Sequence, residues 1–394
     1  MATDTVPTTV LDAAALAFHS TANRSLGCAQ VRGLFWPLSC DHFVREHFEL
    51  RHHIVRASRV HSDLGAALGF PSLLRAVDVH RMASVWEFKV GADHSQARFI
   101  LPDSFAHDTE WADGVAADSA AIRRAHRKNC TAVFHNVELY WRPISLLSLS
   151  LTRLFGLYSQ ANIYYSPPAL EAALHPHQDA QSVFVVQCEG RKTWTLLEPP
   201  ARWKLRYNQR GKAGDVAPAA DLKRPIDEVT LSPGDVLFIP RGVYHHTATP
   251  PGGAASLHVT IGVETDTDDF TWFALLTEAA GTLRIADAAQ KLLHAQWADE
   301  RLREALPLPL CRPAGSFGSA PDGPQYLAKA RALLREHVNA RPSAEKLVPA
   351  LDAALTRRQA LVEGKRRQLL QFMDLAPRPT AEDGAALAKL IASG

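Results

Sequence analysis

No apolar run in this chain of 394 residues approaches the roughly 20 residues that span a bilayer. The first nine residues, Met1 to Thr9, are polar and acidic where an export signal needs a basic start and an apolar stretch. Charge of one sign is missing too: 43 Lys and Arg stand against 41 Asp and Glu, for a net charge of +2. No strong field therefore argues for nucleic acid or for a membrane surface. Cysteine is sparse. Cys28, Cys40, Cys130, Cys188 and Cys311 are odd in number, far apart, and include no C-x-x-C pair that could build a zinc ribbon or a redox dithiol. These absences predict a soluble protein in a reducing, cytoplasmic setting, with neither membrane nor nucleic acid as partner.

A length of 394 residues predicts a main domain of about 250 residues with smaller parts beside it. Residues 41–56, DHFVREHFELRHHIVR, place Phe43, His47, Phe48 and Arg51 at helical spacing and turn strand-like at His53-Ile54-Val55. Helix, then strand, is expected. Between Ile144 and Leu157, ISLLSLSLTRLFGL is apolar enough for a buried helix. From Asn162 to Val263 the period shortens: NIYYS, QSVFVVQ, KTWTLL, DVLFIP and SLHVTIGV are separated by Pro and Gly turns. Several short strands with tight turns indicate a β-sandwich or barrel. After Asp266 the strand signal stops, and residues 270–305 read as partly amphipathic helices. Residues 306–324, LPLPLCRPAGSFGSAPDGP, have no period and are expected to form a linker or extended loop. The tail from Gln325 is helical by composition, and its basic cluster Lys365-Arg366-Arg367 reads as a solvated face.

Two runs carry chemistry: His175-Pro176-His177-Gln178-Asp179, and Pro240-Arg241-Gly242-Val243-Tyr244-His245-His246. On a strand, residues two apart project to one face, so His177 and Asp179 can point at one ion while Gln178 faces away. A third ligand has to come from another strand. Two His and one carboxylate on one face of an octahedron leave three open positions, the arrangement typical of non-haem Fe(II) oxygenases, whereas zinc usually closes its site differently. His-x-Asp by itself is a weak signal, since the chain repeats it at His61-Ser62-Asp63, which reads as exposed surface. What sets His177 and Asp179 apart is context: strand signals after them, a lysine beyond, and a turn-strand-turn segment ending in His245.

In that order, HQDAQSVFVVQCEGRKTW, LSPGDVLFIPRGVYHH and SLHVTI resemble the JmjC-type 2-oxoglutarate oxygenases, and within them the ribosomal oxygenases that hydroxylate ribosomal proteins. The match is closest from Asn162 to about Ile261. Upstream, DHFVREHFELRHHIV resembles the family's entry segment, and RLREALPLPL resembles the end of its helical dimerisation region. The resemblance implies an α+β fold with a double-stranded β-helix (jelly-roll, cupin-like) core and flanking helices in residues 1–265. It further implies a helical dimerisation region at 266–305, a linker at 306–324, and a small, mostly helical domain at 325–394 that relatives build as a winged helix.

Carried over residue by residue, the resemblance makes His177, Asp179 and His245 the iron ligands. His245 is preferred to His246 because the family's ligand directly follows the Arg-Gly-x-x tetrad; His175 is left near the mouth or in a structural role. Lys192 takes the place of the lysine that binds the distal carboxylate of 2-oxoglutarate, with a surface lysine closing a hairpin as the plainer alternative. Asn162 and Tyr164 match an Asn and a Tyr near the cosubstrate, and His258 matches a family histidine. Tyr164 as barrel filler and His258 as a hydrogen-bonded core residue suit the pattern equally. In SLHVTIGV, Leu257, Val259 and Ile261 form one face and His258, Thr260 and Gly262 the other, as suits a strand lining a cavity. Gly262 is a departure, because some relatives carry a serine there; cosubstrate binding is expected to rest more on Lys192 and Tyr164.

The implied activity uses Fe(II), 2-oxoglutarate and O2 to hydroxylate a side chain of a protein or peptide, with succinate and CO2 as co-products and no general base required. A His or Arg of a ribosomal protein is the inherited substrate, and a homodimer the inherited assembly. A tailoring hydroxylase of a natural-product precursor peptide and a JmjC-type lysine demethylase would share the iron site. A non-oxidative cupin isomerase or metal-binding module would share the barrel, but would present more His ligands and have no need of Lys192.

Overall fold

The computed structural model of the protein describes residues 31–59, 73–91, 96–104, 106–198, 222, 225–265 and 269–375. Cys28 and the second His-x-Asp copy at His61 and Asp63 lie outside the described residues. The first layer alternates helices and strands: α1 (Cys40–Glu46), β1 (His53–Val55), α2 (Ala76–Val85), β2 (Ala97–Ile100), α3 (Ser119–Arg127) and β3 (Thr131–Phe134). Local chemistry sets the helix starts. Ser39 Oγ accepts the His42 N–H ahead of α1, and Asp118 Oδ1 accepts the Ala121 N–H ahead of α3, each satisfying a donor that the first turn leaves without a partner. The leucine-rich run forms α4 (Arg142–Phe155), which has Pro143 in its first turn and stops at Gly156, whose φ of 72° continues no right-handed helix.

Eight strands follow: β4 (Ser159–Ser166), β5 (Leu174–His177), β6 (Ser182–Glu189), β7 (Lys192–Leu197), β8 (Pro225–Leu231), β9 (Val236–Ile239), β10 (Tyr244–Ala248) and β11 (Ser256–Val263). With the first three strands they form a seven-stranded sheet, β1-β9-β6-β11-β4-β3-β2, and a four-stranded sheet, β5-β10-β7-β8. All these pairings are antiparallel. The result is a β-sandwich, as the spacing of strands and turns predicts, and its cupin-like form with flanking helices is the one the family resemblance implies. The hairpin between β6 and β7 needs Gly190: its φ is 63°, and a Cβ there would lie 2.3 Å from the carbonyl oxygen of Ala255.

Period-two alternation sorts the side chains. On β6, Phe184 and Val186 enter the main core beneath the helices, where Phe184 meets Phe43 and Phe238 at centroid distances of 5.6 and 4.9 Å. Val183 and Val185 point the other way and join Trp194, Leu196, Val229, Leu231, Leu237 and Ile239 in a second cluster between the sheets. That cluster draws on β6, β7, β8 and β9 and fills one half of the sandwich with apolar side chains. The half bounded by β4, β11, β5 and β10 is lined largely by polar groups instead, and it is there that a pocket opens. Each fully buried Leu, Val or Phe contributes about 1.5–3 kcal/mol of burial, so the filled half stiffens the frame on which the polar half is mounted.

Beyond the sandwich the described residues are helical: α5 (Trp272–Thr282), α6 (Ala288–Ala298), a 3₁₀ turn (Glu300–Leu302), α7 (Leu308–Cys311), α8 (Gly323–Val338) and α9 (Ala344–Leu375). Among these residues no strand supplies a wing beside α8 and α9. The Pro- and Gly-rich stretch 306–324 is anchored to the core at several points. Leu306, Leu308, Leu310, Cys311 and Phe317 are buried in the same core as the sheet, and Gln359 of α9 donates to the carbonyls of Leu310 and Gly315 at 3.0 and 2.9 Å. Composition hides this, because proline and glycine suppress periodicity while the leucines between them are still available for burial. Among the described residues no helix is long and apolar enough to cross a membrane.

Candidate metal centre

In the β5–β10 ladder His245 lies directly opposite His177. Each imidazole is aimed by its own backbone: Nδ1 of His177 donates to the carbonyl of His175 at 2.9 Å, and Nδ1 of His245 to the carbonyl of Val243 at 3.1 Å. With Nδ1 protonated, the Nε2 lone pairs are left to converge on Asp179. His245 Nε2 is 3.6 Å from Asp179 Oδ2, and His177 Nε2 is 4.0 Å from Oδ1. The three ligand atoms lie within 4.8 Å of one another, with both histidines buried. Asp179 is not on the strand, which ends at His177. It is held from the far side instead, its carbonyl accepting the Gly242 N–H at 3.1 Å, with Gly242 at a φ of 83°. Two neutral imidazoles and one carboxylate in that spacing are the donor set of a facial triad, and the residues fit a divalent transition metal of the Fe(II) kind.

The local rivals are placed elsewhere. His175 is half-exposed and turns its Nδ1 to Asp103 at 3.1 Å, so it serves His177 through its carbonyl. His246 is half-buried, is not among the residues lining the pocket, and burial lowers its pKa. A second cluster, Asp299, Glu336 and His337, has its negative charge taken up by Arg301, which holds both carboxylates, and by His337 on Asp299. It is an ion-pair network.

The pocket above the triad contains all of the remaining candidates: Asn162, Tyr164, Lys192 and His258. Lys192 is 1% exposed and begins β7; its Nζ donates to Ser166 Oγ at 2.9 Å and to Thr249 Oγ1 at 3.0 Å. Among the described residues no carboxylate lies within ion-pair distance of it. Burial therefore lowers its pKa to about 7. His258 is buried, and desolvation, with the neighbouring Lys192, pushes its pKa well below the usual range, so the ring is neutral. Its plane stacks on Tyr164, centroids 5.1 Å apart, and its Nδ1 has no partner. Asn162 reaches the pocket with its carbonyl oxygen already engaged by the Asn136 N–H at 3.3 Å. Trp194 stands between the halves of the sandwich, its ring 5.6 Å from His245 and 5.4 Å from His258.

Ser166, which lines the pocket, and Thr249, the other hydroxyl partner of Lys192, are passed over by the motif reading, though a period-two signal points at both. Ser166 continues the face of Asn162 and Tyr164, and Thr249 the face of His245 and Thr247. At Gly262 the space a side chain would fill is occupied by Gln181: a Cβ would meet Gln181 Cδ at 3.2 Å, and Gln181 is tied to Glu264 at 2.6 Å.

The family described as the JmjC domain matches residues 143–269. Ribosomal oxygenase 2 of Bos taurus is 27% identical over 292 residues, covering 72% of this chain and 56% of the relative. The bifunctional lysine-specific demethylase and histidyl-hydroxylase NO66 of Aedes aegypti is 34% identical over 140 residues, 35% of this chain and 21% of that protein. The chain spans about half the length of the Bos taurus and Rattus norvegicus ribosomal oxygenase 2 proteins it matches. Among solved structures, the ribosomal oxygenase YcfD of Escherichia coli in complex with cobalt and 2-oxoglutarate is similar at a TM-score of 0.39 and 15% identity, over 81% of this chain and 71% of that one. The matched segment contains β4 to β11, so the sandwich at the centre of this chain is similar to the JmjC domain over those eight strands.

Proposed function

We propose that the protein is an Fe(II)- and 2-oxoglutarate-dependent dioxygenase that hydroxylates a side chain of a protein or peptide, a His or Arg of a ribosomal protein being the first candidate. The observation that carries this is Lys192: a buried amine with two hydroxyl partners and, among the described residues, no carboxylate, in the pocket that also holds the His177, Asp179 and His245 triad. A buried cation without a counter-charge is costly, and a ligand that brings a carboxylate removes that cost. The ribosomal substrate is supported by the name of two of the relatives, ribosomal oxygenase 2.

In this reading His177, Asp179 and His245 hold the iron, and Lys192, Ser166 and Thr249 hold the distal carboxylate of 2-oxoglutarate. Tyr164 and His258 form the wall beside it, and Asn162 closes the far end. When bound, the pair supplies oxidative decarboxylation coupled to hydroxylation of an unactivated C–H bond, using O2 and yielding succinate and CO2. The protein's own part is to present three ligands on one face, to balance the cosubstrate's charge, and to keep water out of the half of the sandwich sealed by Trp194 and the valine and leucine cluster.

We read residues 1–265 as the oxygenase domain, 266–305 as a dimerisation region, and 325–394 as a small, mostly helical domain that follows the stretch 306–324. A homodimer is supported by Leu293 and Trp297 of α6, which stand 43% and 47% exposed one helical turn apart. The cytoplasmic setting is supported by Cys40, Cys130, Cys188 and Cys311, all free and buried.

The test is consumption of 2-oxoglutarate by the purified protein with Fe(II) and O2, and its loss in Asp179→Ala. Turnover that survives that change sinks the assignment, and turnover without O2 favours the isomerase. For the substrate, proteomes with and without the gene are compared for peptides gaining one oxygen atom. The NO66 relatives carry a demethylase name as well, and loss of a methyl group from lysine in the same comparison would favour that second reading. Unchanged ribosomal peptides remove the ribosomal substrate.

A further inference from the structure

The turn that precedes His245 is anchored by an ion pair of a buried arginine with a partly buried glutamate 192 residues upstream. Arg241 is 4% exposed. Its Nε donates to Glu49 Oε2 at 2.9 Å, and its Nη2 lies 2.8 Å from the same oxygen. Nη2 also donates to the carbonyl of Arg303 at 2.8 Å, and the backbone N–H of Arg241 donates to Ser182 Oγ at 3.1 Å. The Ser182 hydroxyl completes the ring by donating to Glu49 Oε1 at 2.6 Å. Arg303 is buried in turn, its Nη1 donating to the carbonyls of Gln296 and Trp297 at the C-terminal end of α6.

This arrangement leads directly to two ligands. The residue after Arg241 is Gly242, whose N–H holds the carbonyl of Asp179 at 3.1 Å, and His245 follows three residues later. Asp179 stands beyond the end of β5, so its place depends on that turn. Glu49 itself has a φ of 62°, a left-handed conformation that side chains with a Cβ rarely adopt and that persists where the surroundings dictate it. Sheet formation alone needs neither the ion pair nor this backbone.

We propose that Glu49, Arg241 and Ser182 are positioning residues for the metal centre: together they fix the turn through which Asp179 and His245 are brought to one ion. The proposal rests on the iron-site reading above. Removing the carboxylate takes away the group that joins the Arg241 guanidinium to the Ser182 hydroxyl, and the turn loses that anchor.

The test is titration of the metal-free full-length protein with Co(II), followed calorimetrically and by the visible absorption of the bound ion, for wild type, Glu49→Ala, Glu49→Gln and Ser182→Ala. Outer-shell partners of metal ligands typically govern affinity by about 10- to 100-fold, and a loss of that size, with an altered Co(II) band, is expected in Glu49→Ala. Glu49→Gln keeps an acceptor for Arg241 and a partner for Ser182, and is expected to recover most of the affinity. Wild-type affinity and band in Glu49→Ala, even with a lowered melting temperature, make the pair structural only and overturn the proposal. Should that variant not fold, Ser182→Ala decides, with weakened Co(II) binding supporting it and unchanged binding overturning it. A wild-type protein that binds no Co(II) overturns the iron-site reading and this inference together, whereas normal wild-type binding with unaffected variants overturns this inference alone.

Discussion

His177 and His245 face one another across the β5–β10 ladder with ring centroids 4.3 Å apart, each imidazole tied through Nδ1 to the carbonyl two residues before it. Two rings oriented by their own strands leave the choice of third ligand to Asp179. The register also discriminates between neighbours: His245→Ala is expected to abolish metal-dependent consumption of 2-oxoglutarate, and His246→Ala to leave it close to wild type. Equal losses in the two variants would show that the ladder does not select the ligand.

Lys192→Met removes the ammonium while keeping much of its length. A hydrogen bond to a charged group is worth about 1.5–3 kcal/mol, so the apparent affinity for 2-oxoglutarate is expected to fall by roughly 10- to 100-fold. Ser166→Ala and Thr249→Val, which remove one neutral partner each, should cost about 0.5–1.5 kcal/mol. A Lys192→Met enzyme with an unchanged KM for 2-oxoglutarate would rule out Lys192 as the carboxylate site.

The same lysine predicts a pH dependence. Burial lowers its pKa from 10.5 to about 7, so between those values the unfolded chain carries the proton and the ligand-free folded protein has released it. The unfolded state binds more protons there, and the contribution of Lys192 to stability rises with pH through that window; below it both states are charged and the burial penalty is felt in full. A carboxylate at Nζ restores the charged form. Binding of 2-oxoglutarate at about pH 8 should therefore take up close to one proton and weaken as pH rises further. Calorimetry in buffers of different ionisation enthalpy measures the uptake, and proton-neutral binding would contradict the charge assignment.

Gly190→Ala tests the β6–β7 hairpin that delivers Lys192. A Cβ 2.3 Å from a backbone oxygen at a φ of 63° forces the turn to shift, and a destabilisation of about 1–3 kcal/mol is expected. Thermal melting should record it, together with a raised KM for 2-oxoglutarate because Lys192 lies two residues on. A variant with wild-type melting would mean that the turn relaxes without cost.

Trp297→Glu places a charge on the exposed face of α6. Light scattering is expected to find a dimer in the wild type and a monomer in this variant, and a monomeric wild type would remove the dimer through residues 266–305.

Much of the site was legible in the chain. Alternation on β11 separates Leu257, Val259 and Ile261, which enter the main core, from His258, Thr260 and Gly262, which line the pocket. The helix of Arg142–Phe155 and most strands of the sandwich are readable in the same way, because a two- or 3.6-residue period is a local property of the backbone. The stretch 306–324 was not, since burial of its leucines depends on the distant surfaces of α5 and α9.

The sequence by itself determined which strand residues share a face, while His177, Asp179 and His245 entered as candidate ligands with the family resemblance. Only the tertiary structure decided which faces meet: that β10 lies beside β5, that the hydroxyls around Lys192 come from 26 and 57 residues away, and that Asp179 is held by the turn that Arg241 and Glu49 anchor. The physical reason is that strand pairing and the burial of charge are won by contacts between distant segments, and no local window of sequence contains both partners.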